Sequence, residues 1–154
     1  MNDINRFGAT VKVFRGKVGF TAQAVTARDE FVTHTLNLEL ADKISSGYDW
    51  ANKTTVQVSR AELPRFCAVL IGLKRRAEGK YHGETKNKSW HLVWGDEGLG
   101  LKLSDKGKWR SVFFGEEDLF WLSSLCVDQL GRNTGAETQS DTLNMLKLSC
   151  RSRD

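Results

Sequence analysis

The sequence lacks any run of about 18–20 consecutive apolar residues, the length that a membrane-spanning helix requires. Its first residues, MNDINRFGAT, contain neither the apolar core of a secretory signal nor the Arg- and Ser-rich composition of a transit peptide. We therefore expect a cytoplasmic protein with no membrane partner, or an organellar one if the chain is a processed mature form.

Cysteine is scarce. The three cysteines, Cys67, Cys126 and Cys150, cannot all pair within one molecule, and none has the CxxC or Cys/His spacing of a metal site. The nucleotide-binding patterns GxGxxG and GxxxxGKS/T are absent as well. These absences favour a reducing compartment and predict neither a metal ion nor a bound cofactor.

Catalytic patterns are equally poor. His34, His82 and His91 do not have the spacing of metal ligands on one element. The paired acidic residues fall in predicted turns or at the start of a helix, where the helix dipole accounts for a carboxylate. Cys67 and Cys126 lie in apolar segments, where a thiol is usually a small hydrophobic group. We therefore expect a binding protein and not an enzyme.

What the chain does have is the composition of one folded domain. It contains 154 residues, of which 40% are hydrophobic and 27% charged, too apolar for a disordered chain. Apolar residues alternate with polar ones along its first part, which predicts strands over about 8–15, 17–26, 31–41 and 53–58. Ser59 and Glu62 then form a capping-box pattern, and this pattern predicts a helix that runs to about Lys74.

The second half repeats this order. Strands are predicted over about 78–83, 88–95, 98–105 and 109–114, followed by a helix over 116–130. We therefore predict an α+β fold of two ββββα repeats with antiparallel sheets. The repeats cover about 8–75 and 78–131 of a single domain over 1–131, and a flexible C-terminal tail follows over 132–154. Within this tail, 142–148 could instead dock as a short element on a neighbour.

Both predicted helices are apolar around most of their circumference, more than one sheet face can cover. Trp121 is expected in the core of its helix. The pattern favours helices that form the core of an oligomer, and the alternative is that each is a central helix of a monomer. The residues predicted for the oligomer core are Phe66, Leu70, Leu119, Leu122 and Leu125.

Basic and aromatic residues alternate along the predicted strands and loops, and the net charge is +4. Cations beside exposed rings are what a single-stranded nucleic acid requires, because phosphates take the charge and unstacked bases take the rings. The predicted phosphate contacts are Lys12, Lys17, Lys53, Lys86, Lys88, Lys102 and Arg110. The predicted stacking residues are Phe14, Phe20, Trp50, Tyr81, Trp90, Trp94 and Trp109.

Each of these residues has a plainer interpretation. A lysine-rich loop can be a solvated turn. Trp90 and Trp94 alternate on one strand face, which fits a core as well as a stacking platform. Trp50 could instead pin a loop against a sheet.

Two stretches resemble the Whirly family of single-stranded DNA-binding proteins. Arg15, Gly16 and Lys17 are similar to the family's Lys-Gly-Lys segment, although Gly19 and Phe20 depart from the small apolar residues that follow it. The second and more specific stretch resembles the family's Tyr-Asp-Trp-x-x-Lys motif and the passage into the helix after it, in Tyr48, Asp49, Trp50, Lys53, Val56, Gln57, Val58, Ser59 and Glu62.

The resemblance covers about residues 6–131 and implies a homotetramer with a helical core and sheets that radiate like blades. Single-stranded DNA would lie across the sheets with little sequence preference. Arg15 and Lys17 would support further assembly. Because a transit peptide is absent, we expect a prokaryotic, phage or plasmid-type relative.

The function predicted from the sequence is therefore protection or organisation of exposed single strands in replication, recombination or repair. One alternative is an RNA-binding or annealing protein or a transcription cofactor, because a sheet that stacks bases need not contact a 2′-hydroxyl. The other is a protein-interaction scaffold whose basic loops only solubilise it.

Overall fold

The computed structural model describes residues 8–150. The first half forms an antiparallel sheet, sheet 1, with the strand order β1-β2-β3-β5 and a short β4 paired with the end of β3. Its strands are β1 (Thr10–Arg15), β2 (Val18–Arg28), β3 (Val32–Ile44), β4 (Gly47–Tyr48) and β5 (Thr54–Gln57). Helix α1 (Leu63–Leu70) follows, four residues shorter at its end than predicted.

The second half forms sheet 2, which is antiparallel with the order β6-β7-β8-β9. Its strands are β6 (Arg76–His82), β7 (Lys88–Gly95), β8 (Gly98–Asp105) and β9 (Lys108–Phe114). Helices α2 (Glu116–Thr134) and α3 (Gln139–Ser149) complete the described chain. The predicted α+β fold of two ββββα repeats is confirmed.

Alternate residues of the two sheets form one core. Phe20 of sheet 1 and Phe114 of sheet 2 are both buried, and their ring centroids lie 5.0 Å apart at 67°. Leu38 and Leu40 from β3 lie in the same cluster as Leu92 from β7. Because side chains alternate along a strand, the residues between these positions face outward. Each sheet therefore has one buried face and one outer face.

The predicted capping box is present at the start of α1. The Ser59 N–H donates to Glu62 Oε1 at 2.9 Å, and the Glu62 N–H donates to Ser59 Oγ at 3.3 Å. Pro64 lies in the first turn of the helix, where its missing N–H removes no helical hydrogen bond.

The same carboxylate joins α1 to sheet 2. Trp90 Nε1 donates to Glu62 Oε1 at 3.0 Å, and His82 Nε2 lies 2.8 Å from Glu62 Oε2. Burial alone would raise the pKa of Glu62, but the hydrogen bonds from His82, the Ser59 N–H and Trp90 lower it from 4.5 to about 2. Since an ionised carboxylate can only accept, His82 Nε2 carries the proton. A Cβ on Gly79 would overlap both Glu62 Oε2 and Trp90 Nε1, so this β6 position requires glycine.

Helix α2 is tied to sheet 1 by side-chain amides. Gln129 Nε2 donates to the carbonyls of Thr35 and Val25, at 2.8 and 3.2 Å. Asn133 Oδ1 accepts from the His34 N–H at 2.6 Å, and Asn133 Nδ2 donates to the His34 carbonyl at 2.8 Å. These bonds extend α2 beyond its predicted end at residue 130.

The chain after residue 132 differs from the predicted flexible tail. α2 runs to Thr134 and ends at Gly135, whose φ of 70° suits glycine. The Thr138 side chain caps α3, which packs on α2 through the buried Thr142 and Leu146. The polar composition of this region therefore marks only a short turn. Residues 151–154 lie outside the described part of the chain.

The predicted oligomer core also differs. Phe66, Leu70, Leu122 and Leu125 are buried within their own chain, and Leu119 is half-buried. Trp121, expected in the core, is instead 62% exposed. Because α1 packs against α2 and sheet 2, and α3 covers part of α2, a single chain encloses more helical surface than its composition predicts.

We expect Glu62→Gln to destabilise the protein at pH 7 by about 1–3 kcal/mol, because the neutral amide cannot accept all of the bonds that the carboxylate accepts. The pKa of Glu62 is lower in the folded chain than in the unfolded one. Its stabilisation is therefore complete above pH 4.5 and is lost as the pH falls toward 2. Thermal unfolding at a series of pH values tests this.

The matched control is Glu84→Gln, at an exposed position in the turn between β6 and β7. The wild type and this control should lose stability over the acid range more steeply than Glu62→Gln. Parallel pH profiles for all three proteins would contradict the role assigned to Glu62.

Candidate nucleic-acid interface

The outer face of sheet 2 carries a groove of about 660 Å³ that we call the ring groove. Two large rings of the edge strand β9 flank it, Trp109 with 51% and Phe113 with 50% of its surface exposed. Since these rings are four residues apart, they lie roughly 13 Å apart along the strand. The remaining side chains that define the groove are His91, Val93, Lys102 and Ser111.

The registry of the strands explains the shape of the ring groove. Gly100 of β8 lies opposite Phe113, and a Cβ there would come within 3.1 Å of the Phe113 ring. Lys102 lies between His91 of β7 and Ser111 of β9 in the next row. Because glycine has no side chain, the Phe113 ring can lie against Gly100, and Lys102 lies in the neighbouring row.

His91 is a titratable group inside the ring groove. Its ring centroid lies 5.0 Å from that of Trp109, and its Nδ1 lies 3.0 Å from Glu78 Oε2. Burial lowers the pKa of His91, Glu78 opposes this, and the charges of Lys80 and Lys102 lower the pKa further. The imidazole is therefore mostly neutral at pH 7, and Lys102 is the cation of the groove.

A second groove of about 400 Å³ lies on the other side of β9. It runs between Trp109 and Phe113 of sheet 2 and the turn that joins β1 to β2, where Arg15 and Lys17 lie. Arg15 forms an ion pair with Asp118 in the first turn of α2, and Asp118 also accepts from the Gly115 N–H. Arg15 therefore has a structural role in attaching sheet 1 to α2, whereas Lys17 is exposed.

The Tyr-Asp-Trp stretch packs on the outer face of sheet 1. The Phe14 and Tyr48 ring centroids are 5.0 Å apart, and those of Tyr48 and Trp50 are 6.3 Å apart. A Cβ on Gly19 would lie 3.1 Å from Tyr48 and 3.2 Å from Trp50. Gly19, which departs from the family pattern, thus provides the space for these two rings. Trp50 does pin its loop to the sheet, while Phe14 stays 53% exposed.

Lys53 is paired within the chain. Its Nζ lies 2.6 Å from Glu39 Oε2, and the same carboxylate accepts from Thr21 and Thr55 at 2.9 and 3.2 Å. Burial would raise the pKa of Glu39, but the bonds from Lys53, Thr21 and Thr55 hold it below its ordinary value. Lys53 is therefore less available to a phosphate than the sequence suggests.

The hairpin between β6 and β7 carries three more predicted contacts. Tyr81 is 76% exposed and has a φ of 64°, at an irregular step in the pairing of β6 with β7. Lys86 is exposed in the turn. Lys88 is half-buried, and its Nζ donates to the Thr55 carbonyl at 3.2 Å, which joins this hairpin to sheet 1.

Three predicted contacts, Phe20, Trp90 and Arg110, are wrong because their side chains are buried in the core, and a fourth, Trp94, is half-buried against it. Phe20 and Trp90 have no exposed surface. Trp94 packs against the core and donates from Nε1 to the Val69 carbonyl at 2.6 Å. Arg110 is buried between the sheets, where it binds Asp42 at 3.1 Å and the hydroxyl of Thr54. Alternation identified the two faces of each strand but not which face is buried.

The exposed predicted residues without an ion pair within residues 8–150 lie in four places, one of which is the second groove with Lys17. Lys102 and Trp109 meet at the ring groove, Phe14 and Lys12 lie on the β1 edge of sheet 1, and Tyr81 and Lys86 lie on the β6–β7 hairpin. The sequence reasoning missed His91 and Phe113, although both alternate with the buried residues of their strands. It also missed Tyr48 as part of the ring cluster with Phe14.

Exposed apolar side chains also lie on helices α2 and α3. We call them together the α2–α3 face; they are Phe120 and Trp121 of α2 and Met145 and Leu148 of α3, whose exposed fractions are 65%, 62%, 64% and 71%. The Phe120 and Trp121 rings are in contact, with centroids 5.1 Å apart at 90°. The nearby groove of about 390 Å³ is lined by Ile71, Leu119 and Leu143 among others.

Comparison with known proteins identifies the fold. No family model and no curated protein matches the sequence. The structure is similar to that of the plant transcriptional regulator PBF-2, with a TM-score of 0.60 over 88% of this chain and 95% of that chain, at 14% sequence identity. The fold is Whirly-like. The two sheets, each followed by a helix, match that architecture, as the Tyr-Asp-Trp stretch and the duplication led us to expect.

Two structural features are absent from the described part of the chain. No helix between residues 8 and 150 is long and apolar enough to cross a bilayer. In the same range, no group of three or more His, Cys, Asp or Glu side chains is arranged to hold a metal ion.

We expect Gly19→Val to destabilise the protein by about 1–3 kcal/mol, because the added side chain must displace Tyr48 and Trp50 from sheet 1. Chemical denaturation followed by tryptophan fluorescence measures this. Gly107→Ala is the control for a glycine with nothing within 4 Å of its added Cβ, and its cost comes only from a φ of 81°. If Gly19→Val keeps the native emission spectrum and stability, the packing described for Trp50 is wrong.

Proposed function

We propose that this chain binds single-stranded DNA with little sequence specificity, and that it protects or organises exposed strands in replication, recombination or repair. The observation that carries the proposal is the ring groove, where two half-exposed rings flank a groove that contains Lys102. An unpaired base exposes a face that can stack on such a ring, at about 1–3 kcal/mol per base. Bases within a duplex do not expose that face.

Charge supports a polynucleotide over a neutral ligand. Lys102 lies inside the ring groove, Lys17 lines the second groove across β9, and neither forms an ion pair within residues 8–150. A DNA strand that crosses β9 would pass Lys102 in the ring groove on one side and Lys17 in the second groove on the other. The rings of Trp109 and Phe113 lie between these two cations. Stacking does not depend on base identity, which supports binding with little sequence specificity.

The proposal extends to assembly. The Whirly-like fold and the resemblance in sequence support a homotetramer with a helical core. We propose the α2–α3 face as the surface on which such subunits would meet, since Phe120 and Trp121 expose two large rings in contact with each other. The contacts would then come from Phe120 and Trp121, and not from the five residues predicted for the oligomer core.

The proposal assigns the chain no catalytic role. We also propose that the chain is a cytoplasmic protein and a prokaryotic, phage or plasmid-type relative of the Whirly proteins, or an organellar protein if it is a processed mature form. This part rests on the sequence alone.

A fluorescence titration with poly-dT at two salt concentrations tests the function. We expect strong quenching in the wild type and a loss of about fivefold or more in affinity for Trp109→Ala, the effect of about 1 kcal/mol of lost stacking. Phe31→Ala is the control, since it removes a ring of similar exposure in the turn between β2 and β3, outside both grooves beside β9 and outside the α2–α3 face. Equal affinities for the wild type and both variants would contradict base binding at the ring groove.

The charge of Lys102 should affect how strongly binding depends on the salt concentration. Removing one phosphate contact should reduce the slope of log affinity against log salt by about 0.7 for a single strand, so Lys102→Gln should bind with a shallower slope. Arg28→Gln, at the end of β2 and outside the lining of both grooves, is the control that also removes one exposed positive charge. Competition with RNA of the same sequence separates DNA from RNA binding. Binding that vanishes at moderate salt without quenching would support a protein-interaction scaffold instead.

Light scattering after gel filtration tests the assembly. We expect the wild type to form a tetramer and Phe120→Glu/Trp121→Glu to form smaller species, because four charged pairs of side chains would be buried in the helical core. Phe113→Glu, a change of a similarly exposed ring on sheet 2, should leave the tetramer intact. A wild-type monomer would contradict this part of the proposal.

A further inference from the structure

The outer face of sheet 1 contains a row of uncharged side chains that neither stacking nor phosphate binding uses. Gln23 of β2 pairs in register with Asn37 of β3, and Asn37 pairs with Gln57 of β5. Thr10 of β1 extends the row at the edge of the sheet. We call Gln23, Asn37 and Gln57 the amide row.

The amide row is only partly satisfied within the chain. Gln57 Nε2 donates to Asn37 Oδ1 at 3.0 Å, which fixes the two amides beside each other. The Gln57 carbonyl oxygen, the Asn37 amide nitrogen and the whole Gln23 amide form no hydrogen bond with other residues of the described range 8–150. Gln57 is exposed, and Asn37 and Gln23 are half-buried. The row therefore presents donors and acceptors side by side on an open face.

The neighbouring row argues against a phosphate at this place. It contains the ionised Glu39, whose charge is balanced by Lys53 at 2.6 Å. The amide row itself has no charged side chain. A sugar-phosphate backbone gains little from such a surface, whereas the edge of a base gains hydrogen bonds from adjacent amide donors and acceptors.

The amide row lies where a DNA strand bound at Phe14 would pass. Phe14, with Tyr48 and Trp50 beside it, lies two outer-face rows away, which corresponds to roughly 13 Å along the strands. A strand that stacks a base on Phe14 and continues across sheet 1 would therefore bring the edges of later bases over the amides.

We propose that the amide row binds the edges of unpaired bases by hydrogen bonds. This inference rests on the proposed function and adds to it. Sheet 2 would hold bases by their faces at any sequence, and sheet 1 would hold bases by their polar edges. Affinity would then depend on the hydrogen-bonding groups of the bases as well as on stacking and charge.

The test compares a thymine strand with a strand of equal length in which difluorotoluene nucleosides replace thymidines. This analogue keeps the size and ring of thymine but removes its strong donors and acceptors. We expect the wild type to bind the analogue strand at least about fivefold more weakly than the thymine strand, the lower end of the effect of one base contact. In the double variant Gln23→Leu/Gln57→Leu, the ratio of the affinity for the thymine strand to the affinity for the analogue strand should fall toward one.

The controls separate the causes. Gln139→Leu changes an exposed glutamine on α3 and should keep the wild-type ratio. Gln57→Ala alone, which removes one amide with less change to the surface, should give an intermediate ratio. Because the removed groups are uncharged, the salt dependence of binding should be the same in all four proteins.

Each outcome decides between the two proposals. A ratio that is the same in the wild type and the double variant overturns the role of the amide row and leaves single-strand binding intact. Failure of the wild type to bind the thymine strand at all overturns both.

Discussion

The buried Glu62 carboxylate is the contact on which the arrangement of the two halves depends. It closes the capping box of α1, accepts from Trp90 and His82, and lies against Gly79. One group thus fixes the start of α1 against sheet 2 and the orientation of β7. Because β7 must turn Trp90 inward, His91 and Val93 must face outward, and the pairing of β7 with β8 and of β8 with β9 then places Lys102, Trp109 and Phe113 on the same face.

The alternation of apolar residues was sufficient to predict every strand of the described residues except the two-residue β4, and the Ser59–Glu62 spacing was sufficient to predict the start of α1. Neither could show which face of a strand is buried. Trp90 was predicted to stack on DNA for this reason, although it donates to a carboxylate inside the core. Arg110 was misplaced because its partners, Asp42 and Thr54, are distant in sequence. Trp121 was misplaced because an apolar helix gives no sign of which side its own sheets cover.

The basic side chains fall into two groups, those that form ion pairs within the chain and those that lie in the two grooves beside β9. Arg15, Lys53 and Arg110 are held by Asp118, Glu39 and Asp42, so their charge serves the fold. Lys102 and Lys17 lie in grooves on the two sides of β9. A basic composition therefore overstates the number of phosphate contacts, and the edge strand β9, with a ring at residues 109 and 113, becomes the centre of the proposed interface. The amide row would give the opposite sheet a different way to hold the same strand.

Photo-crosslinking of iodouracil-substituted single-stranded DNA, followed by mass spectrometry of the linked peptides, tests the central claim most directly. Iodouracil links to aromatic side chains that it contacts, so the method reports which rings meet the bases. The account predicts crosslinks to β9, at Trp109 or Phe113. Crosslinks confined to Trp121 on the α2–α3 face, or no crosslink to any ring of sheet 2, would contradict it.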